Sequence, residues 1–193
     1  MGQSAMSRAA RRNAAKSVPS LSVFPTNLGW FGLVGDPPTL LGLLVGHASA
    51  DEVRSAARKA VHAEEGAGAL RADFREHDWH PELRRRLERY CLGERVDFDD
   101  IRVDLPARTG FQERVLKCVR RVGYGRTISY GELAQKAGYP RAARAVGTVM
   151  SSNRFPIVIP CHRVVAAGGK PGGYSSPQGI GLKLKLLEME AAR

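Results

Sequence analysis

Cysteine is scarce: the 193 residues hold three, Cys91, Cys118 and Cys161. None sits in a C-x-x-C pair and the number is odd, which argues against a disulfide framework and for a reducing compartment. No local Cys/His spacing suits zinc, so no metal is expected. Long apolar runs are missing as well. None approaches the about 20 residues that span a bilayer, and the longest candidate, 40–45, reads as a buried strand. No membrane partner is expected. The third scarcity is acid in the second half. Residues 1–104 carry 15 Lys/Arg and 15 Asp/Glu, whereas residues 105–193 carry 15 Lys/Arg and 4 Asp/Glu.

The whole net charge of +11 therefore lies beyond residue 104. Such asymmetry points to a face that binds a polyanion, most simply nucleic acid. The alternative is a basic surface with no partner, and charge alone does not separate the two. Near the start, Arg8, Arg11, Arg12 and Lys16 stand among Ala and Ser without an acid. The stretch lacks the apolar centre of a secretory signal. A short organelle-targeting peptide and a start at Met6 are alternatives. Residues 1–18 read best as a basic disordered tail with weak phosphate affinity.

Turn residues and apolar stretches alternate over 21–45. Phe24-Pro25-Thr26-Asn27-Leu28-Gly29 and Gly35-Asp36-Pro37-Pro38 read as turns, with strands at 30–34 and 40–46. Ser49 or Asp51 caps a helix through Val53, Ala57 and Val61 to about Glu64, ended by Gly66-Ala67-Gly68. Pro81 opens another, with Leu83, Leu87 and Tyr90 or Cys91 on one face. An extended stretch over 96–103 follows. This half reads as a small α/β unit with nothing catalytic in it.

Leu105-Pro106-Ala107-Arg108 reads as a linker. Thr109 caps a helix through Phe111, Val115, Leu116, Val119 and Val122. Ser129 caps the next, 130–137, and Glu132 completes a capping box. After Gly138-Tyr139-Pro140 a second helix runs over 141–152. Two short helices joined by a Gly-containing turn suggest a helix-turn-helix. Ala142-Ala143-Arg144-Ala145-Val146-Gly147 is nearly all small. Small residues permit close approach to a groove, leaving Arg144 projecting, or tight packing on the protein's own core. The pattern admits both, and the basic half tips it toward DNA. Phe155-Pro156-Ile157-Val158-Ile159-Pro160 is an apolar extended segment leading into Cys161-His162-Arg163. A Gly-rich loop and a closing helix over 180–192, with Leu182, Leu186 and Met189 on one face, complete the chain.

A free Cys is more often a buried small hydrophobe than a nucleophile, and Cys91 and Cys118 read as core. Three neighbours favour chemistry at Cys161. His162 is adjacent and can accept the thiol proton. The basic half would stabilise a thiolate, the reactive form. The flanking prolines stiffen the segment. Adjacent residues of an extended stretch face opposite ways, so a water is the expected relay between the two.

Pro160-Cys161-His162-Arg163-Val164-Val165, preceded by Ile-Val-Ile, resembles the acceptor-site signature of the O6-alkylguanine-DNA alkyltransferases (methylated-DNA–protein-cysteine methyltransferases). Thr127-Ile128-Ser129-Tyr130-Gly131-Glu132-Leu133-Ala134, Ala142-Ala143-Arg144-Ala145-Val146-Gly147, Ser152-Asn153, Gly173-Tyr174-Ser175 and Lys183-x-x-Leu186-Leu187-x-x-Glu190 also fall where that family has them. The resemblance is dense over 105–191 and loose before it.

The resemblance implies an α/β N-terminal domain over 19–104, structural only. It also implies a mainly α C-terminal domain over 105–193 with a winged-helix-like helix-turn-helix. It implies single-turnover repair of double-stranded DNA containing O6-alkylguanine, by a monomer without cofactor, in the cytoplasm or a eukaryote's nucleus. Cys161 would accept the alkyl group, His162 would deprotonate it through water, Glu190 rather than Glu188 would orient His162, and Asn153 would brace the turn. Arg144 would fill the gap left by the extruded nucleotide. Tyr130 would press on the phosphate and reach guanine N3. Ser129, Ala142, Ala143 and Gly147 join them at the DNA. Val164, Tyr174, Ser175 and Lys183 would line the base pocket.

The loop from Ser175 to Gly179 is longer than the family's usual version, and Val122-Gly123 replaces a common Ile-Pro. The first half lacks the Cys/His set that binds zinc in some relatives. Rival readings are a non-catalytic sensor of alkylated DNA, which would lack the acceptor Cys, a cysteine hydrolase, and a DNA-binding regulator.

Overall fold

The computed structural model describes residues 18–65, 74–105 and 108–192. The basic tail up to residue 17, the Gly66-Ala67-Gly68 helix stop and the Pro106-Ala107 part of the linker lie outside the described residues.

The first half builds one sheet. Strands β1 (Ser20–Thr26), β2 (Gly29–Asp36) and β3 (Thr39–His47) form an antiparallel meander, and the short β4 (Arg75–Glu76) pairs parallel with β1, giving the order β3-β2-β1-β4. The turn expected over 24–29 shrinks to Asn27-Leu28, because Pro25 continues the strand opposite Trp30. β4 pairs only with Ser20 and Leu21. Pro25 therefore lies where β1 is an outer edge and its missing N–H costs no ladder bond. The stretch over 96–103 is not a strand. Its one ladder contact is a bridge from Val103 to Leu40, while Phe98 and Ile101 turn inward.

Helix α1 (Ala50–Glu65) begins where the Ser49 hydroxyl accepts the Glu52 N–H at 3.2 Å. Helix α2 (Pro81–Cys91) starts on a proline, which fits a first turn whose N–H groups have no helical partner. It buries Leu83, Leu87, Tyr90 and Cys91.

The second half is mainly helical. α3 (Gly110–Arg120) and α4 (Tyr130–Lys136) both open with complete capping boxes, Thr109 with Gln112 and Ser129 with Glu132. α3 stops before Val122, whose carbonyl accepts an N–H of Arg163 instead. α5 (Ala143–Ser151) starts two residues later than its composition suggests, since Arg141 adopts φ 74° and lies outside the helix. β5 (Ile128–Ser129) and β6 (Val164–Val165) form a two-stranded parallel ladder, and α6 (Ile180–Ala191) closes the chain. Among the described residues no helix is long and apolar enough to cross a membrane.

One buried cluster spans both halves. It joins Phe31, Leu40, Leu87 and Tyr90 to Val115, Leu133, Val146, Ile159, Leu182 and Leu186. The sheet also receives the indole of Trp79, whose Nε1–H donates to the Leu33 carbonyl at 2.9 Å. That ring lies over Gly35, where a Cβ would stand 2.1 Å from it and 2.9 Å from the Thr39 carbonyl oxygen. Gly35→Ala should therefore lower stability by about 1–3 kcal/mol, read as a reduced urea midpoint with an unchanged denaturant slope.

Candidate active site

The segment before Cys161 is not extended as its prolines and apolar residues suggest. Its amides bond locally, Ile159 to the Phe155 carbonyl and Cys161 to the Ile159 carbonyl, both at 2.7 Å, and Ile157 sits at φ 72°. A β-branched residue there is strained, so its surroundings must hold it. Asn153 supplies part of that hold. Its Oδ1 accepts the Phe155 N–H at 3.0 Å, and its Nδ2 donates to the Ile159 carbonyl at 2.9 Å and lies 3.0 Å from Cys161 Sγ. One short side chain thus shapes the turn and touches the sulfur. Cys161, His162 and Arg163 then form a single 3-10 turn leading into β6, all three buried.

Behind this turn lies a buried charge. Glu190, on the last full turn of α6, is 1% exposed, while Glu188 faces solvent. Glu190 Oε1 lies 3.0 Å from His162 Nε2, accepts Arg163 Nη2 at 2.8 Å and accepts the Tyr90 hydroxyl at 2.6 Å. Its Oε2 accepts Arg163 Nε at 3.0 Å and the Gly125 N–H at 3.1 Å. Burial alone would raise this carboxyl's pKa, but the donors of His162, Arg163 and Tyr90 overcome it and hold the group well below the usual carboxylate range. His162 is also shifted down, but there burial prevails over the pull of Glu190, so the resting imidazole is neutral. Two acceptors face Nε2 and put its proton there. Nδ1 is buried without a hydrogen-bond partner among the described residues and is left as the basic nitrogen.

The expectation that basic residues hold Cys161 as a thiolate needs correction. The sulfur is buried, and burial pushes the thiol pKa up despite the Asn153 hydrogen bond and the charge of Lys183. Surface Lys and Arg in water do not compensate that loss of solvation. Among the described residues Lys183 is the cation whose charge acts on the sulfur. Its Nζ is buried, donates to the Val164 carbonyl at 2.6 Å and stands 5.9 Å from the Tyr130 ring centre. The acceptor therefore rests as a thiol and requires a base to react.

The remaining expected residues fall into two groups. Tyr130, Tyr174 and Lys183 gather near the sulfur: burial raises the pKa of each phenol, an ionised Cys161 would raise it further, and Val164 joins them through the carbonyl that accepts Lys183 Nζ. The Tyr174 hydroxyl is buried without a partner among the described residues, and Gly172 backs directly onto the Tyr130 hydroxyl. Ser175 is exposed and spends its hydroxyl on the Ser151 carbonyl at 2.9 Å, tying the loop to α5. Arg144 stands apart, exposed on α5, with Ala142, Ala143 and Gly147 half-buried beside it and open space over Gly147. The fully buried positions of α5 are Val146, Val149 and Met150; Ala142 packs against the edge of the core, whereas Ala145 is exposed and nothing lies over Gly147. Ser129 is committed to capping α4.

Two site residues escaped the sequence reading. Tyr90 corrects the view that the first half brings nothing to the chemistry, since its hydroxyl touches both His162 and Glu190. Position on an apolar stripe concealed it, although a buried phenol needs a hydrogen-bond partner. Arg163 was quoted in the motif without a role. A charge embedded between Ile-Pro-Cys and Val-Val must be paired when buried, and that rule would have found it. Among the described residues no three His, Cys, Asp or Glu side chains gather to hold a metal.

The family model of the 6-O-methylguanine DNA methyltransferase DNA binding domain matches residues 110–192. The chain is 46% identical over 108 residues to the methylated-DNA–protein-cysteine methyltransferase of Mycobacterium tuberculosis, a match covering 56% of this chain and 63% of that protein. It is 46% identical over 111 residues to the enzyme of that name from Methanopyrus kandleri, covering 57% of this chain and 79% of the relative. The crystal structure of the Mycobacterium tuberculosis protein in complex with DNA superposes with TM-score 0.69 at 32% identity, covering 90% of this chain and 93% of that one.

The buried Glu190 pair carries a pH signature. Its carboxyl is depressed in the fold, so its stabilisation is present above the ordinary value of 4.5 and is lost as pH falls below it toward the folded value. Glu190→Gln should cost about 3–5 kcal/mol at neutral pH, by leaving the Arg163 charge unpaired. It should also flatten the acid side of a stability–pH curve measured by urea denaturation.

Proposed function

We propose that the protein repairs DNA by accepting an alkyl group from guanine O6 on Cys161, a reading that starts from its family: the chain belongs to the methylated-DNA–protein-cysteine methyltransferases. One observation carries the proposal. The buried Cys161 thiol is followed in the same turn by a neutral histidine whose far nitrogen is fixed on a buried carboxylate. That is a nucleophile, base and orienter in sequence.

The steps balance as follows. The Cys161 proton passes through one water to His162 Nδ1, and Glu190 stabilises the imidazolium. The thiolate attacks the alkyl carbon, forming C–S as C–O6 breaks, and guanine leaves with the bonding pair. A hydrogen bond from the Tyr130 hydroxyl to N3 spreads the charge on the leaving base, which then takes up a proton from solvent while the His162 imidazolium releases its own. The thioether product is not reversed, so each molecule acts once. The Lys183 ammonium favours the negative charge on the sulfur while the thiolate exists.

The substrate oxygen lies inside the base stack, so the nucleotide must be extruded, at a cost of a few kcal/mol. In this reading α4 and α5 act as a helix-turn-helix, with α5 in a groove and Arg144 filling the gap. The outward Arg144, the small side chains around it and the basic balance beyond residue 104 support this. Tyr174, Ser175 and the Val164 backbone would surround the everted base, residues 1–104 serving mainly as scaffold.

Mass spectrometry after incubation with an oligonucleotide bearing O6-methylguanine should find one added methyl on the Cys161 peptide and none in Cys161→Ala. An unmodified peptide would leave a sensor, a regulator or a hydrolase as the better account. Arg144→Ala should slow duplex repair about tenfold, if the arginine offsets ~1.4 kcal/mol of extrusion. Its reaction with free O6-benzylguanine should be unchanged, and an equal loss on both substrates would remove Arg144 from extrusion.

A further inference from the structure

Tyr90 lies on α2, in the half of the chain with no expected part in the chemistry, yet its hydroxyl enters the buried cluster behind the acceptor. The hydroxyl donates to Glu190 Oε1 at 2.6 Å, and its oxygen lies 3.2 Å from His162 Nε2. Its ring is fixed independently of that bond. It meets Phe98 and Tyr124 edge-on, with centroids 5.9 and 6.1 Å away, and His162 at 6.5 Å. The Tyr124 hydroxyl in turn donates to the Gly93 carbonyl just beyond α2. The phenol is fully buried, and burial and the Glu190 charge raise its pKa well above the ordinary value. It therefore stays protonated and acts as a donor across the working range.

We infer that Tyr90 is a positioning residue for the proton transfer, its hydroxyl sharing Glu190 Oε1 with His162 and so setting how strongly that carboxylate draws on the imidazole. The inference rests on the alkyl-transfer reading for its purpose but not for its test. The physical basis is competition at one oxygen. Arg163, Tyr90 and His162 all point donors at Oε1. Each donor withdraws charge from it, which weakens the others. With the phenol in place, the carboxylate holds the Nε2 proton and orients the ring without making Nδ1 so basic that the imidazole rests protonated. Without it, the freed charge on Oε1 turns to His162, which becomes easier to protonate and less often available as a base.

The charged and titratable groups around the imidazole are Glu190 and Lys183 from α6, Arg163 and Cys161 from its own turn, and Tyr90 from α2. A change confined to the Tyr90 oxygen leaves all the others in place. The test is the His162 ring titration, followed by NMR in the full chain beside the single-turnover rate on O6-methylguanine duplex. Tyr90→Phe keeps the ring and deletes the oxygen. It should raise the His162 midpoint by about one pH unit, the equivalent of one hydrogen bond. The acid limb of the rate should move up by the same amount, so that the rate well below the wild-type midpoint falls by up to about tenfold while the rate at alkaline pH is unchanged. Difluorotyrosine at position 90 keeps the shape with a stronger donor and should move the midpoint down. It provides the measurement if Tyr90→Phe does not fold. A His162 midpoint unmoved by either change, or moved the same way by both, would overturn the inference, whatever the rate does. A wild-type protein that never alkylates Cys161 would overturn the repair reading instead, and the titration would still decide the role of Tyr90.

Discussion

A carboxylate buried to 1% exposure is the constraint around which the site is arranged. Glu190 is tolerable there only because four residues give it donors: Tyr90, Gly125, His162 and Arg163. Those donors come from α2, from the loop after α3 and from the turn that follows the Pro160 kink. Removing the carboxylate from water costs several kcal/mol unless every one of them is well placed. The requirement therefore fixes the relative position of three distant parts of the chain. The same arrangement orients His162. Structural satisfaction and orientation of the base are one set of hydrogen bonds.

The acceptor sulfur is governed by the opposite principle. The Asn153 amide and the Lys183 ammonium both favour its ionised form, yet burial outweighs them and keeps it protonated at rest. A resting thiol is protected from adventitious oxidation and alkylation, since the thiolate is the reactive form. In the proposed mechanism reactivity then depends on a base supplied by the neighbouring residue, not on a permanently ionised sulfur. Net positive charge across the second half has a different task, far from the sulfur in dielectric terms. In the proposed repair reading it would act through solvent on a long polyanion, where many exposed charges sum. The two effects share a sign in the sequence and separate only by burial.

Local rules carried much of the fold. The Thr109 cap, the Ser129 capping box, the helix starting at Pro81 and the apolar faces of α2 and α6 depend on contacts within a few residues, and the structure has them where the pattern indicates. The structure departs from the pattern where strand pairing, an unusual backbone angle or a single side-chain bridge decides. Pro25 continues a strand because the neighbouring strand ends early. Arg141 leaves the helix because the turn takes a left-handed backbone there. The segment before Cys161 curls because the Asn153 side chain bonds across it.

The sequence by itself determined which residues carry reactive groups and in what order: the Pro-Cys-His-Arg run, the basic second half, the small helix bearing Arg144 and the closing helix bearing Glu190. It did so because motif, charge and helical period are written in neighbouring residues. Only the tertiary structure decided the protonation state of the thiol, the choice of Glu190 Oε1 as a shared acceptor and the entry of Tyr90 from the first half. Those depend on burial and on hydrogen bonds between residues as far apart as 90 and 190. Solvation and long-range pairing leave no local trace in the chain.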